Sequence, residues 1–259
     1  MKVEELMTTN IISVDKDVNL KHVLKLMKKN DITKLPVLED KKLIGMVTDN
    51  IIAYKLGSIR QKGIPASRLY ASSVTDKNIE CVKADTEIKD ILKKVGKKGP
   101  TMLCVTENSN LKGVITKADI LPLVDSKKQV KDFMRTKLFT VSPDDRIVHA
   151  RRIMVDEGIA RLPVINNGEL VGIISDNEIA FALADIKRQF SIGKQKHHLD
   201  ELLVGKIMKS PVIFTDQNKT AREVSEIMIR EGVGALPVVS NEKLVGIVSR
   251  TDLLHTISF

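Results

Sequence analysis

The sequence predicts an α+β fold made of four copies of one β-α-β-β-α unit, taken in pairs. Three observations carry this expectation. A glycine-centred segment occurs four times, as Leu43-Ile44-Gly45-Met46-Val47-Thr48, Leu111-Lys112-Gly113-Val114-Ile115-Thr116, Leu170-Val171-Gly172-Ile173-Ile174-Ser175 and Leu244-Val245-Gly246-Ile247-Val248-Ser249. Ten residues before each glycine stands a leucine (Leu35, Leu103, Leu162, Leu236); three begin Leu-Pro-Val and the second reads Leu103-Cys104-Val105. Thirty-eight residues before the glycine stand Met7, Met134 and Met208, with Thr75 in the second copy. Self-similarity at a fixed spacing is the mark of a repeat architecture.

Each element of the unit has its own signal. Ile11–Val14 is a short β-type run. A helix follows whose apolar positions repeat at i, i+3 and i+7: Leu20, Val23, Met27; Ile88, Ile91, Val95; Ile147, Ala150, Met154; Ala221, Val224, Met228. That spacing draws one stripe along a helix. In the third copy Ser142-Pro143 predicts an N-cap followed by proline at the first helical position. Gly99, Gly158 and Gly232 predict left-handed helix stops, with Asp31 in that place in the first copy. Leu35–Leu38 and Leu43–Thr48 read as two strands joined through the polar turn Glu39-Asp40-Lys41-Lys42. The repeated glycine answers either to close packing under its strand or to the approach of a ligand. A sheet this small leaves a face uncovered, so copy one is expected to pair with copy two, and three with four. Segments 57–66 and 187–200 join the copies within a pair, and Asp125-Ser126-Lys127-Lys128 joins the pairs. The expected domains are 1–58, 67–126, 127–187 and 201–259, in modules 1–126 and 127–259.

Composition narrows the function. Of 259 residues, 42 are Lys or Arg and 33 Asp or Glu, a net charge of +9 that invites polyanions. Aromatics are 3% and Trp is absent, so base-stacking platforms are scarce. The charge is also lopsided: residues 1–128 carry +8 and 129–259 only +1. No apolar run approaches the roughly 20 residues of a membrane span. The start, Met1-Lys2-Val3-Glu4-Glu5, lacks the apolar core of a signal peptide. Cys81 and Cys104 have no metal spacing and read as buried thiols, which fits a reducing, cytoplasmic setting. His22 and His149 fall off the apolar stripe and read as exposed; His197-His198 lack a third metal ligand. No nucleophile–base arrangement or phosphate loop is present, so a non-enzymatic role is expected.

Four copies of Leu-Pro-Val … Gly-h-h-[Ser/Thr]-x-x-Asp on such a unit resemble CBS domains, which occur in tandem pairs called Bateman modules. Two modules in one chain are similar to the arrangement of the γ subunit of AMP-activated protein kinase and its stand-alone archaeal relatives. The resemblance implies sheets packed about a pseudo-twofold, modules stacked as a disc, and clefts for AMP, ADP, ATP or S-adenosylmethionine. It further implies a regulatory, energy-sensing role exercised on a protein partner. Nucleic-acid binding through the basic first module, an S-adenosylmethionine-binding module and a purely scaffolding role stand as the alternatives, and a homodimer is compatible with each.

The same resemblance distributes roles. Thr116, Ser175 and Ser249 begin the last helix of their copies and either cap it or face phosphate. Asp119 and Asp252, three residues after the hydroxyl, are expected to accept the ribose hydroxyls, without capping work of their own. Glu178 keeps that carboxylate on a longer arm, whereas Thr48…Ile51 loses it. Lys117 and Arg250 follow the hydroxyl, and Lys34 and Arg161 precede the Leu-Pro-Val slot; each is either a surface charge or a phosphate contact. The slot is apolar in the other two copies, Met102 and Ala235. Ile79, Leu138, Phe139, Val212 and Ile213, with Ala235, are expected to form adenine pockets or else plain core. No metal or redox cofactor is implied.

Overall fold

The computed structural model describes residues 1–30, 32–49, 51–52, 55, 68–96, 102–189 and 201–258. Segment 57–66, Asp31, Gly99 and His197-His198, all singled out above, lie outside the described residues, as does most of 187–200.

Each copy centres on an antiparallel hairpin: β2 (Lys34–Glu39) with β3 (Lys42–Thr48), β5 (Met102–Glu107) with β6 (Asn110–Thr116), β7 (Arg161–Asn166) with β8 (Glu169–Ser175), and β10 (Ala235–Ser240) with β11 (Lys243–Ser249). The connecting loops hold two residues with positive φ, such as Asp40 and Lys41 or Asn167 and Gly168. This is the turn geometry whose twist matches that of the flanking strands. All four hairpins shift register at one place, just after the residue opposite the repeated glycine. The first strand of a copy is shorter than the sequence suggests. β1 (Val14–Asp15), β4 (Cys81–Val82) and β9 (Thr215–Asp216) are two residues each and run parallel to β2, β5 and β10. In copy three only a bridge from Val141 to Val164 remains. Ile79, Leu138, Phe139, Val212 and Ile213 therefore lie in chain just before these strands, not within them.

The helices α1 (Leu20–Asn30), α2 (Ile88–Val95), α4 (Ile147–Glu157) and α6 (Ala221–Arg230) bury the stripes that the spacing predicts. Gly158 ends α4 at φ 62 and Gly232 follows α6 at φ 66, both left-handed. α2 instead ends on Gly96 in right-handed geometry. Ser142-Pro143 does not start α4, whose N-cap position is Arg146. Asp145 turns back to accept from the Ser142 amide at 2.7 Å, so Ser142 opens the preceding turn. His22 is exposed but His149 is half-buried. Cys104 is buried, which pushes its thiol up to about 12, whereas Cys81 is exposed, contrary to expectation.

Pairing rests on an exchange of arms. The chain entering each copy packs on its partner copy. Val3 donates to Thr86 O at 2.8 Å, Ala71 to Val18 O at 2.8 Å, Val130 to Lys219 O at 2.9 Å and Val204 to Asp145 O at 2.8 Å. Further along, Thr8, Asp76, Arg135 and Lys209 bridge antiparallel to Val114, Met46, Ile247 and Ile173. The 38-residue spacing now has a physical reason. A Cβ on Gly246 would lie 2.5 Å from Met134 Sδ; on Gly113, 2.6 Å from Met7 Sδ; on Gly172, 2.6 Å from Met208 Sδ; on Gly45, 2.5 Å from Asp76 O and against the Thr75 methyl. Each arm residue sits on the glycine of the other copy in its pair, so the glycine is required for close packing.

Two apolar cores hold the pairs to each other. One joins copies one and three through Leu20, Met27, Leu35 and Ile52 with Ile147, Leu162 and Ile179. The other joins copies two and four through Ile88, Ile91, Leu103 and Ile115 with Val224, Met228, Leu236 and Leu253. A smaller cluster of Met46, Cys104 and Val114 joins the hairpins of copies one and two. There β3 meets β6 at Lys42 and Asn110 to give one six-stranded sheet.

Gly246→Ala is expected to destabilise the chain by about 1–3 kcal/mol through overpacking. Adding Met134→Ala, which empties the contacted space, should cost less than the sum of the two single changes. Urea unfolding of the four chains of that cycle measures the coupling.

Candidate functional site

The helix starts come first, because they fix the polar side chains. Thr116 and Ser249 are the N-caps of α3 (Lys117–Ile120) and α7 (Arg250–Leu254). The Thr116 hydroxyl accepts from the Ala118 amide at 3.2 Å, and the Ser249 hydroxyl from the Asp252 amide at 3.5 Å. The carboxylates three residues on do carry local work, which corrects the expectation above. Asp119 Oδ2 accepts from the Thr116 amide and hydroxyl, both at 2.7 Å. Asp252 Oδ2 accepts from the Ser249 amide at 2.8 Å and hydroxyl at 2.5 Å. Glu178, at the start of α5 (Asp176–Gln189), accepts from the Ser175 amide at 2.9 Å and from its hydroxyl. These are capping boxes, which satisfy the unpaired N–H groups of a helix start. In copy one Thr48 accepts from the Ile51 amide at 3.2 Å, and Ile51 stands where the other copies have the carboxylate.

One oxygen of each carboxylate is thus committed to the cap. The other meets the arm of the paired copy. Arg135 Nε donates to Asp252 Oδ1 at 3.1 Å, Lys209 Nζ lies 3.5 Å from Glu178 Oε1, and Thr8 Oγ1 donates to Asp119 Oδ1 at 3.2 Å. The fourth equivalent is Asp76, in the arm that faces the copy whose helix offers Ile51. Sequence reasoning missed these arm residues. Their signal was available, since each follows the repeated Met or Thr by one position, but nothing local in the sequence says which copy they touch.

A cavity of about 920 Å³ lies where the two modules meet. Lys34, Lys117, Arg161 and Arg250 all line it, with Thr116, Ser249 and Asp252. Leu138, Phe139 and Ala235 supply an apolar wall. Arg135 and Lys137 add cations, and Asp49, Glu157 and Asp176 are its other acids. The four expected phosphate contacts thus face one shared space and not a separate cleft in each module. Asp119, Glu178, Ser175, Ile79, Val212 and Ile213 do not line it. Ile213 is 38% exposed, and Ile79 packs on the small cluster that joins the first two hairpins.

The cavity is electrically strained toward anions. Burial first, then the neighbouring Lys34, pulls Lys117 down to about 8, although Asp252 works the other way. Burial, and after it Arg161 and Arg250, lowers Lys34 against the pull of Asp49. Burial and Arg161 also lower Arg250, and Asp119 opposes them. Lys117 donates across the module boundary to Thr251 Oγ1. Arg161 lies flat over Gly234, where a Cβ would come within 2.8 Å of its Nη2. Arg250 reaches the Gly232 carbonyl at 3.4 Å through Nη2, while its buried Nε has no hydrogen-bond partner among the described residues. Like charges crowded in partial burial repel, and a dianion placed among them relieves that repulsion. Among the described residues no three His, Cys, Asp or Glu are grouped to hold a metal ion, and no helix is long and apolar enough to cross a membrane.

The wider comparisons agree with this architecture. Protein MJ1225 of Methanocaldococcus jannaschii is 26% identical, with 94% of each chain covered. Its crystal structure superposes with a TM-score of 0.86 over the whole of both chains at 23% identity, and is described as related to the γ subunit of AMP-activated protein kinase. Protein MJ1404 of the same organism is 27% identical over 99% of this chain, which spans 62% of that longer protein. The Bacillus subtilis protein YhcV, a CBS-domain-containing protein, is 30% identical over 48% of this chain. The model of the CBS domain matches residues 3–57, 71–126, 130–185 and 204–258. With four matches that leave little of its length outside them, the chain belongs to the CBS-domain family.

Proposed function

We propose that the chain is a non-catalytic sensor of adenine nucleotides that passes occupancy on to a regulated protein partner. The observation that carries this reading is the convergence of Lys34, Lys117, Arg161 and Arg250 on one cavity beside the Asp252 carboxylate and the Leu138–Phe139 wall. Phosphate would sit among the cations, ribose at Asp252 and adenine against the apolar wall. Two of the cations belong to the first module and two to the second. A phosphate that draws on all four pulls the modules together, which gives ligand occupancy a mechanical consequence. The cluster favours AMP, ADP or ATP over S-adenosylmethionine, which has no phosphate and carries a sulfonium cation. Asp119 and Glu178 belong to the reading as ribose acceptors of further sites, and Ile79, Val212 and Ile213 as their apolar walls.

Titration calorimetry with AMP, ADP, ATP and S-adenosylmethionine tests this, and silence from all four at millimolar concentration would sink it. Asp252→Ala is expected to weaken nucleotide binding at its site by at least about tenfold, because a charge-assisted hydrogen bond is worth roughly 1.5–3 kcal/mol. Binding should also depend on pH in a fixed direction. Phosphate stabilises the charged form of Lys117 and raises its pKa from about 8. Nucleotide binding therefore takes up protons near pH 8, and affinity falls as pH rises from 7 to 9. Titrations in buffers of different ionisation enthalpy report the uptake, and Lys117→Met should abolish most of it.

A further inference from the structure

Arg135 holds the carboxylate that the nucleotide reading gives to the ribose, and it does so from within the same cavity. A carboxylate offers about four lone-pair directions. Asp252 Oδ2 spends two on the Ser249 amide and hydroxyl, and Oδ1 spends one on Arg135 Nε. One direction is left, whereas a vicinal ribose diol presents two donors. Something has to yield. The Ser249 donors are the cap of α7 and cannot leave without fraying it. The Arg135 side chain is 35% exposed on a flexible stem, so its bond is the one that gives way.

Once displaced, the guanidinium is left in the cavity, since Asp132, the other carboxylate near it on the arm, is engaged by the Gln129 amide. It faces a cavity already lined by Lys34, Lys117, Arg161 and Arg250. A nucleoside without phosphate leaves it there in a lining where cations outnumber acids, the latter being Asp49, Glu157 and Asp176 besides Asp252. A nucleotide brings the anion that it needs. We propose that Arg135 is a specificity-determining residue, which makes ribose capture at Asp252 conditional on a phosphate arriving with the sugar. The condition is graded across the chain. Lys209 guards Glu178 with a charge, whereas Thr8 meets Asp119 with a neutral hydroxyl, so the Asp119 position is the permissive one. This inference rests on the nucleotide reading and adds to it a rule for rejecting adenosine.

The test is calorimetric titration of the full chain with AMP and with adenosine, in a background of Asp119→Asn and Glu178→Gln that confines ribose capture to Asp252. Arg135→Thr, which copies the residue of the permissive position, should tighten adenosine by about tenfold and leave AMP unchanged or weaker. Arg135→Lys keeps the charge and should keep the discrimination. If Arg135→Thr does not fold, Arg135→Gln removes the charge at similar length and is expected to show the same narrowing of the AMP-to-adenosine ratio. AMP binding with an unaltered ratio overturns this inference alone. Weaker adenosine binding overturns it too, because Arg135 would then support Asp252 and not compete for it. Failure of the unsubstituted chain to bind AMP overturns the nucleotide reading itself.

Discussion

The contact of an arm with the glycine of its neighbour copy governs most of this molecule. Met134 on Gly246 and Met208 on Gly172 are the two halves of one exchange, and Met7 on Gly113 with Thr75 on Gly45 are the halves of the other. The glycine leaves room for a sulfur or a methyl directly against the strand backbone. That closeness lets the next residue of the arm form its antiparallel bridge, as Arg135 does with Ile247. The bridge in turn aims the side chain at the start of the neighbour's last helix, where Asp252 waits. A single small residue thereby sets how closely the arm packs, how it is registered and which group reaches the carboxylate.

The second constraint is that the carboxylates serve two masters. Asp119, Asp252 and Glu178 close capping boxes and still present an oxygen outward. A side chain with both tasks is held in a fixed orientation before any ligand arrives, so little rotamer freedom is lost on binding. The cations are prepared in the opposite sense. Burial and mutual repulsion depress Lys34, Lys117 and Arg250, an arrangement that a neighbouring anion would relieve. On the proposed reading, such acceptors and cations together suit a ligand that has both hydroxyls and phosphate.

Much of this was legible in the sequence because it is written at short range. The helix stripes follow from i, i+3, i+7 spacing, and the hairpins from their polar two-residue turns. The repeat itself located the hydroxyls Thr116, Ser175 and Ser249 and four of the six cavity cations, but neither the Thr220 cap nor Arg135 and Lys137. What escaped notice depends on contacts between distant parts of the chain. The 38-residue interval measures a distance within one copy, but Met134 touches the glycine of another. Arg135, Lys209 and Thr8 look like ordinary loop residues until the arms are crossed. Local misreadings had local causes. Ser142-Pro143 is a sound helix start by composition, yet Asp145 binds the Ser142 amide and delays the helix to Ile147. Cys81 stands at the surface because its two-residue strand lies at the edge of the sheet, between Glu80 and Val82.

The crossing of the cores has a consequence for how the chain acquires its shape. The apolar interior around Leu20 and Leu35 is completed by Ile147 and Leu162, and that around Ile88 by Val224 and Leu236. Each interior therefore needs segments from both halves of the chain, separated by well over a hundred residues of sequence. Closure over such separations carries a loop-entropy cost before any contact rewards it, so folding is slow relative to local helical proteins of similar size. During synthesis the first half emerges with the partners for its helices still to be made. That half carries an excess of eight positive charges, and net charge of one sign opposes association between like chains.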